Sequence, residues 1–336
     1  MFDITVIGDT TIDVFAEIDQ DSAQCTLDRT SSHLCFQYGS KIPVKQMTTV
    51  IGVGNAANVA VAMARFGART ALYTILGSDV NGRAIYKKFT RAKISSRYIR
   101  LDKEKGTNYS TVIEYKGDRT ILAYHEKRHY QLPRLAKTSW IYFSSISGNH
   151  DEFNQELCSY LAANKHVRLG FNPGTLQMNL GEKRLRGIFG VTAVLFVNKE
   201  EAQRLVGEKK DMGKLLMALH KKGPRIVVVT DGKCGSYCFD GTQTYFFPIF
   251  DVPVIQRTGC GDAYASGFLA ALMHERSVPE AMRWGTMNAA SVSQRIGSQA
   301  GLLSEKEMGR LLAAYPQMHP VVLSEKKLST SKTRAV

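Results

Sequence analysis

Arg257-Thr258-Gly259-Cys260-Gly261-Asp262 sets two glycines and a carboxylate directly ahead of residues 263–273, which are apolar on nearly every helical face. Such a run reads as a buried helix. The first N–H groups of a helix lack intrahelical partners, and with the helix dipole they form a ready site for an anion. Gly259 and Gly261 leave room for a phosphate to touch the backbone. Asp262 has two readings. It is an N-cap, or it is a base that takes the proton from a hydroxyl attacking the bound phosphate.

A second glycine turn, Ile51-Gly52-Val53-Gly54-Asn55-Ala56-Ala57-Asn58, opens a helix whose Val59, Ala60, Met63 and Phe66 share one face and which Gly67 stops. Asn55 and Asn58 read as amides facing a polyhydroxylated ligand, with one of them alternatively a cap. Gly52-x-Gly54-x-x-Ala57 also matches a dinucleotide fingerprint, the basis for an NAD-dependent dehydrogenase reading. That fingerprint belongs after the first strand of a βαβ unit, and here about forty residues intervene. Asp13 follows the first strand, residues 3–8, where it either holds substrate hydroxyls or forms an Asx turn.

The elements that must position these residues alternate. Short apolar runs at 140–144, 167–171, 193–197 and 225–230 read as strands buried on both faces, separated by helices near 151–164, 182–189, 200–206 and 211–222. This is the pattern of an α/β fold with a doubly wound, mostly parallel sheet flanked by helices. Three strands end in polar signals, Asn172-Pro173-Gly174, Asn198-Lys199-Glu200-Glu201 and Thr230-Asp231-Gly232-Lys233-Cys234-Gly235, which fall with Asp262 on one sheet edge. Residues 14–50 and 107–124 alternate instead, predicting short antiparallel strands and a hairpin that form a small projecting sheet suited to covering a site. One apolar face of so small a sheet is expected to be buried against a second subunit.

The chain has 336 residues, 44% of them hydrophobic, enough for a full core in one large unit, read over 1–322, or in two smaller ones. Its 44 Lys and Arg against 30 Asp and Glu give +14, which suits phosphorylated partners and also allows a nucleic-acid-binding reading. No stretch interleaves dense Lys and Arg with aromatics, so no nucleic-acid surface is expected. Lys326, Lys327, Lys332 and Arg334 lie in a basic tail, 323–336, expected to be disordered. Six single cysteines, none in a C-x-x-C pair, argue against zinc and for a reducing compartment. With no basic leader and no apolar run of about 20 residues, a cytoplasmic protein without membrane contact is expected.

Segments 52–67, 198–201, 230–235 and 257–267 occur in the order and spacing of the ribokinase-like (PfkB) family of sugar and nucleoside kinases, and the chain resembles that family over about residues 3–315. The resemblance implies a fold with a β lid, formed here by the strands in 14–50 and 107–124, and a homodimer through it. It implies ATP and Mg²⁺ as cofactors and Asp262 as the base that deprotonates a hydroxymethyl group of a small furanose or ketose sugar. A nucleoside is the alternative acceptor. Gly259, Cys260 and Gly261 would supply the anion hole. Asn198 and Glu201 would organise Mg²⁺ and its waters. Thr230, Gly232 and Gly235 would form a nucleotide loop, and Asn288 would sit beside the adenine. Asp13, Gly54, Asn55 and Asn58 would contact substrate hydroxyls. Gln256 and Arg257 stand where family members often carry Asp and Thr, and without that carboxylate monovalent-cation activation is not expected. Cys260, at a helix N-terminus among N–H donors, is expected to have a depressed pKa and to alkylate first.

Overall fold

The computed structural model describes residues 1–19, 25–28, 33–116, 118–208 and 211–323. The basic tail beyond Leu323, and parts of the 14–50 stretch, lie outside the described residues. In chain order, β1 (Phe2–Ile7) is followed by β2 (Thr11–Ile18), β3 (Cys25–Asp28), β4 (His33–Phe36) and β5 (Val44–Val53). Next come α1 (Asn55–Arg65), β6 (Thr70–Gly77), α2 (Val80–Arg91), β7 (Ile99–Asp102), β8 (Asn108–Tyr115) and β9 (Asp118–Tyr124). β10 (Thr138–Phe143), α3 (His150–Ala163), β11 (Arg168–Phe171), α4 (Thr175–Asn179), α5 (Glu182–Gly190), β12 (Val194–Asn198), α6 (Lys199–Val206), α7 (Met212–His220) and β13 (Ile226–Thr230) alternate as expected. The remainder is β14 (Ser236–Phe239), β15 (Thr244–Phe247), α8 (Cys260–Met273), α9 (Val278–Ser293), α10 (Glu305–Ala313) and β16 (Val321–Val322).

The main sheet has ten strands in the order β16-β15-β14-β13-β12-β11-β10-β1-β6-β7. It is parallel from β7 to β13, and β14 to β16 run antiparallel at one edge. Alternate strand residues feed two cores. Ile4, Val6, Tyr142 and Phe196 pack under α1 and α8, while Ile7, Phe143, Leu195 and Val197 join the core of α3, α5 and α7. Burial on both faces is the reason these strands read as unbroken apolar runs. β1 pairs with β6 on one side and β10 on the other, so the chain winds outward from β1 in both directions. The carboxyl ends of β1 and β10 therefore flank the crevice in which such sheets bind ligands.

A second sheet, ordered β5-β2-β8-β9, rises from that edge. It corrects one expectation, because β2 and β8 pair in parallel. Both strands leave the main body in the same direction, after β1 and after β7, so only the hairpin pairs β2–β5 and β8–β9 are antiparallel. β3 and β4 form a separate two-stranded ribbon.

α8 is buried from Asp262 to Ala271, and its polar first turn is held in place by close packing on α9. A Cβ on Gly267 would lie 2.7 Å from the Trp284 carbonyl oxygen, and one on Gly285 would lie 2.9 Å from that of Tyr264. These obstacles are backbone atoms and cannot rotate away. Gly267→Ala is therefore expected to cost about 1–3 kcal/mol through overpacking, outweighing the roughly 0.5–1 kcal/mol of helix propensity that alanine gains. Urea unfolding checks this, and an unchanged or raised midpoint would contradict the packing argument.

Candidate active site

Asp262 does not cap α8. The N-cap is Gly259, in the left-handed region at φ 79° and without a side-chain cap bond. The Asp262 carboxylate instead reaches back to α1, where its Oδ2 accepts a hydrogen bond from Asn58 Nδ2 at 2.8 Å. Asn58 Oδ1 accepts from Ser298 Oγ and Gln299 Nε2, each at 2.9 Å. Gln299 is held in turn by Lys88 Nζ at 2.6 Å and donates to the Gly52 carbonyl at 2.8 Å. Burial pushes the Lys88 ammonium down to about 8. Asp262 is only 8% exposed. That burial raises its pKa to about 6, against the lowering effect of Asn58 and with a further push from the Glu201 carboxylate.

Among the described residues, the amides of Gly259, Gly261 and Asp262 find no acceptor in the chain, while that of Cys260 leans to the Arg257 carbonyl at 3.3 Å. A Cβ on Gly261 would meet open space. The turn thus offers free donors and a gap beside the base, the requirement for an oxyanion or phosphoryl group. Gly259 has a different duty, since a Cβ there would run into Ser298.

Asn198 caps α6. Its Oδ1 accepts from the Glu201 amide at 2.8 Å, and Glu201 Oε2 accepts from the Asn198 amide at 2.9 Å, a reciprocal capping box. Burial raises the Glu201 carboxyl above its ordinary range. Asn198 stands opposite Thr230 across β12 and β13, and Lys199 Nζ reaches Asp231 Oδ2 at 2.9 Å, tying this element to the following loop. In that loop Gly232, at φ 52°, faces open space, whereas Gly235 packs against the Phe247 carbonyl. Asn55 Nδ2 donates to Asn172 Oδ1 at 3.3 Å, and Asn172 Nδ2 donates to the Phe196 carbonyl at 2.8 Å, bridging α1 to the ends of β11 and β12. Gly54, at φ 105°, lets the start of α1 pass close to the Asp9 carbonyl. Asp13 lies on β2, half-buried, beside Ser110, and burial raises its pKa.

Two of the expected site residues are engaged within the protein, and the expectation for Cys260 needs correction. Asn288 is fully buried between α8 and α9. Its amide donates to the Ala263 carbonyl at 2.8 Å and to Ser266 Oγ, and accepts from the Leu303 amide at 3.0 Å. Asn58 positions Asp262, and its amide is engaged within the protein rather than turned to a substrate. The Cys260 thiol is pushed up to about 11. Burial leads, and the Asp262 carboxylate adds to it, against the pull of Arg119 and Arg257. Several residues near the site escaped the sequence reading: Asp9, His125, Tyr130 and the pair Ser298–Gln299. Asp9 alone had a local signal, a carboxylate next to the strand-ending Gly8. Iodoacetamide is therefore expected to label the exposed Cys35 and Cys234 well before Cys260. Timed mass spectrometry checks this, and first labelling at Cys260 would contradict it.

The family model for pfkB family carbohydrate kinase matches residues 1–305. Ribokinase of Haemophilus influenzae is 25% identical over 270 residues, 76% of this chain and 85% of its own length. Ribokinase of Arabidopsis thaliana, solved with ribose and ATP, superposes with a TM-score of 0.76 at 21% identity, covering 93% of this chain and 98% of that one. The nucleoside kinase of Methanocaldococcus jannaschii superposes with a TM-score of 0.75 at 20% identity, over 94% and 99% of the two chains. These likenesses establish the ribokinase fold. By its match over nearly the whole chain, the protein belongs to the pfkB family of carbohydrate kinases, phosphotransferases with an alcohol group as acceptor.

Proposed function

We propose that the protein transfers the γ-phosphate of ATP to a hydroxymethyl group of a small sugar, with Asp262 as general base. The observation that carries this is the pairing of a buried carboxylate, fixed by Asn58, with the free amides of Gly259, Gly261 and Asp262. Asp262 takes the acceptor proton. The oxygen then bonds to the γ-phosphorus as the bond to the β-phosphate oxygen breaks, and ADP leaves. The amides meet the charge on the transferring group, where fixed donors in a dry site act most strongly.

Asn198 and Glu201 suit Mg²⁺ held mainly by phosphate oxygens and water. Each commits one oxygen to the capping box, Glu201 keeps the other, and no cluster of three metal-ligating side chains exists among the described residues. Bound there, the ion would neutralise phosphate charge. Gly232, just beyond Thr230, borders open space suited to the nucleotide phosphates. Gln256 Oε1 accepts from the Gly297 amide at 2.6 Å, and its Nε2 donates to Glu114 Oε1 at 3.2 Å, an arrangement that supports activity without a monovalent cation.

A sugar is favoured over a nucleoside because Tyr109, a ring that a base might stack on, is on the opposite face of its sheet from Asp13. That outer face also exposes Met47, Leu122 and Tyr124, which supports a homodimer through this lid. Free cysteines support a reducing, cytoplasmic setting, and no helix among the described residues is long and apolar enough to cross a membrane.

Asp262→Asn keeps an acceptor for Asn58 but removes the base. It is expected to cut kcat about 10²–10⁴-fold while Mg-ATP binding persists; near-normal turnover would refute the assignment. The base must be ionised, so kcat/KM should fall tenfold per unit as pH drops below about 6. A flat profile between pH 7 and 5 would contradict this. Light scattering at micromolar concentration should find a dimer, and Leu122→Asp should shift it to monomer.

A further inference from the structure

The β5-β2-β8-β9 sheet carries Arg119 on the face that looks into the site, and His125 follows directly after its last strand. Asp13 stands in register with Ser110, and Ser110 with Ala123, so the three side chains share a face. Arg119, four residues before Ala123 on β9, points to that same face, and His125 follows two residues after Ala123. The orientation of the face is fixed independently. Glu114, the cross-strand partner of Arg119, accepts its hydrogen bond from Gln256, which leads directly into the Arg257–Asp262 turn.

Among the described residues Arg119 lacks a counter-ion, whereas His125 faces Asp9. Glu114 turns to Gln256 rather than to Arg119. Arg119 acts electrostatically on both Asp13 and Cys260, so its charge is felt on β2 and at the glycine turn alike. His125, with its side chain 31% exposed, places Nδ1 3.9 Å from Asp9 Oδ2. Asp9 is buried, its Oδ1 accepts from Tyr130 Oη at 2.6 Å, and its Oδ2 has no hydrogen-bond partner. A buried carboxylate oxygen without a partner holds the Nδ1 side of a nearby imidazole and leaves Nε2 free for a ligand. An acceptor that buries an unpaired guanidinium must compensate it, which a neutral hydroxyl does poorly and an anion does well.

We propose that Arg119 and His125 form an anion-binding half of the acceptor site, so that the acceptor is a sugar carrying a carboxylate or phosphate in addition to the hydroxyl it offers to Asp262. This rests on the kinase reading above. The test compares D-fructose, D-gluconate and D-fructose 6-phosphate as acceptors with saturating Mg-ATP, the last two separating carboxylate from phosphate. At least one anionic acceptor should exceed fructose in kcat/KM by about a hundredfold. Arg119→Gln and His125→Gln should each lower that anionic-to-neutral ratio about ten- to a hundredfold, the value of a charge-assisted hydrogen bond, with melting temperatures retained and the KM for ATP unmoved. Equal or better use of fructose overturns the proposal. So does an Arg119→Gln defect that falls on ATP rather than the acceptor, which would assign Arg119 to the γ-phosphate. Transfer to neither anion with Mg-ATP still bound sinks the proposal and leaves the kinase reading standing, whereas loss of Mg-ATP binding in the wild-type protein sinks both.

Discussion

The hydrogen bond from Asn58 to Asp262 joins residues 204 positions apart and closes the site. It links the first turn of α1 to the first turn of α8, the two helices whose glycine-led starts converge at the crevice. Without it Asp262 would be a buried carboxylate with nothing to fix its direction, an arrangement that is costly and unspecific. With it, one oxygen is anchored and the carboxylate has a fixed direction. Asn58 can serve this way only because Ser298 and Gln299 occupy its carbonyl oxygen and so determine which end of the amide donates.

Burial tunes the carboxylate proposed as the base. A surface aspartate is ionised at neutral pH but too weakly basic to compete for a hydroxyl proton. Withdrawing it from water favours the protonated form and brings its pKa nearer to neutrality. The same burial has the opposite use at Cys260. There it raises the thiol out of the reactive range and makes it a small side chain at the mouth of the anion turn, despite the helix terminus beneath it.

The second sheet obeys a different constraint. Its period-two alternation gives it two unlike faces, with Asp13, Ser110, Glu114 and Arg119 turned inward and Tyr109, Leu122 and Tyr124 turned outward. A one-residue slip in β8 or β9 would exchange them. The closure of the hairpin at Tyr115 opposite Asp118 holds that register.

The order of strands and helices in the main body, the two glycine turns and the buried character of α8 were all legible in the sequence, because each rests on local spacing: apolar runs and glycine positions. The parallel pairing of β2 with β8 was not legible, since pairing direction depends on where distant strands leave the main sheet. The duties of Asn58 and Asn288 were likewise hidden. An amide on a helix has the same local signature whether it faces a ligand or a neighbouring helix, and only the approach of α8 decided that both are turned inward. The thiol of Cys260 was misjudged for a related reason: a helix N-terminus can be read from sequence, but the depth to which the fold buries it cannot. The sequence by itself thus determined the elements and the chemistry at their ends. The tertiary structure decided which polar groups remain free to act, because that depends on which partners the packing brings within hydrogen-bond reach.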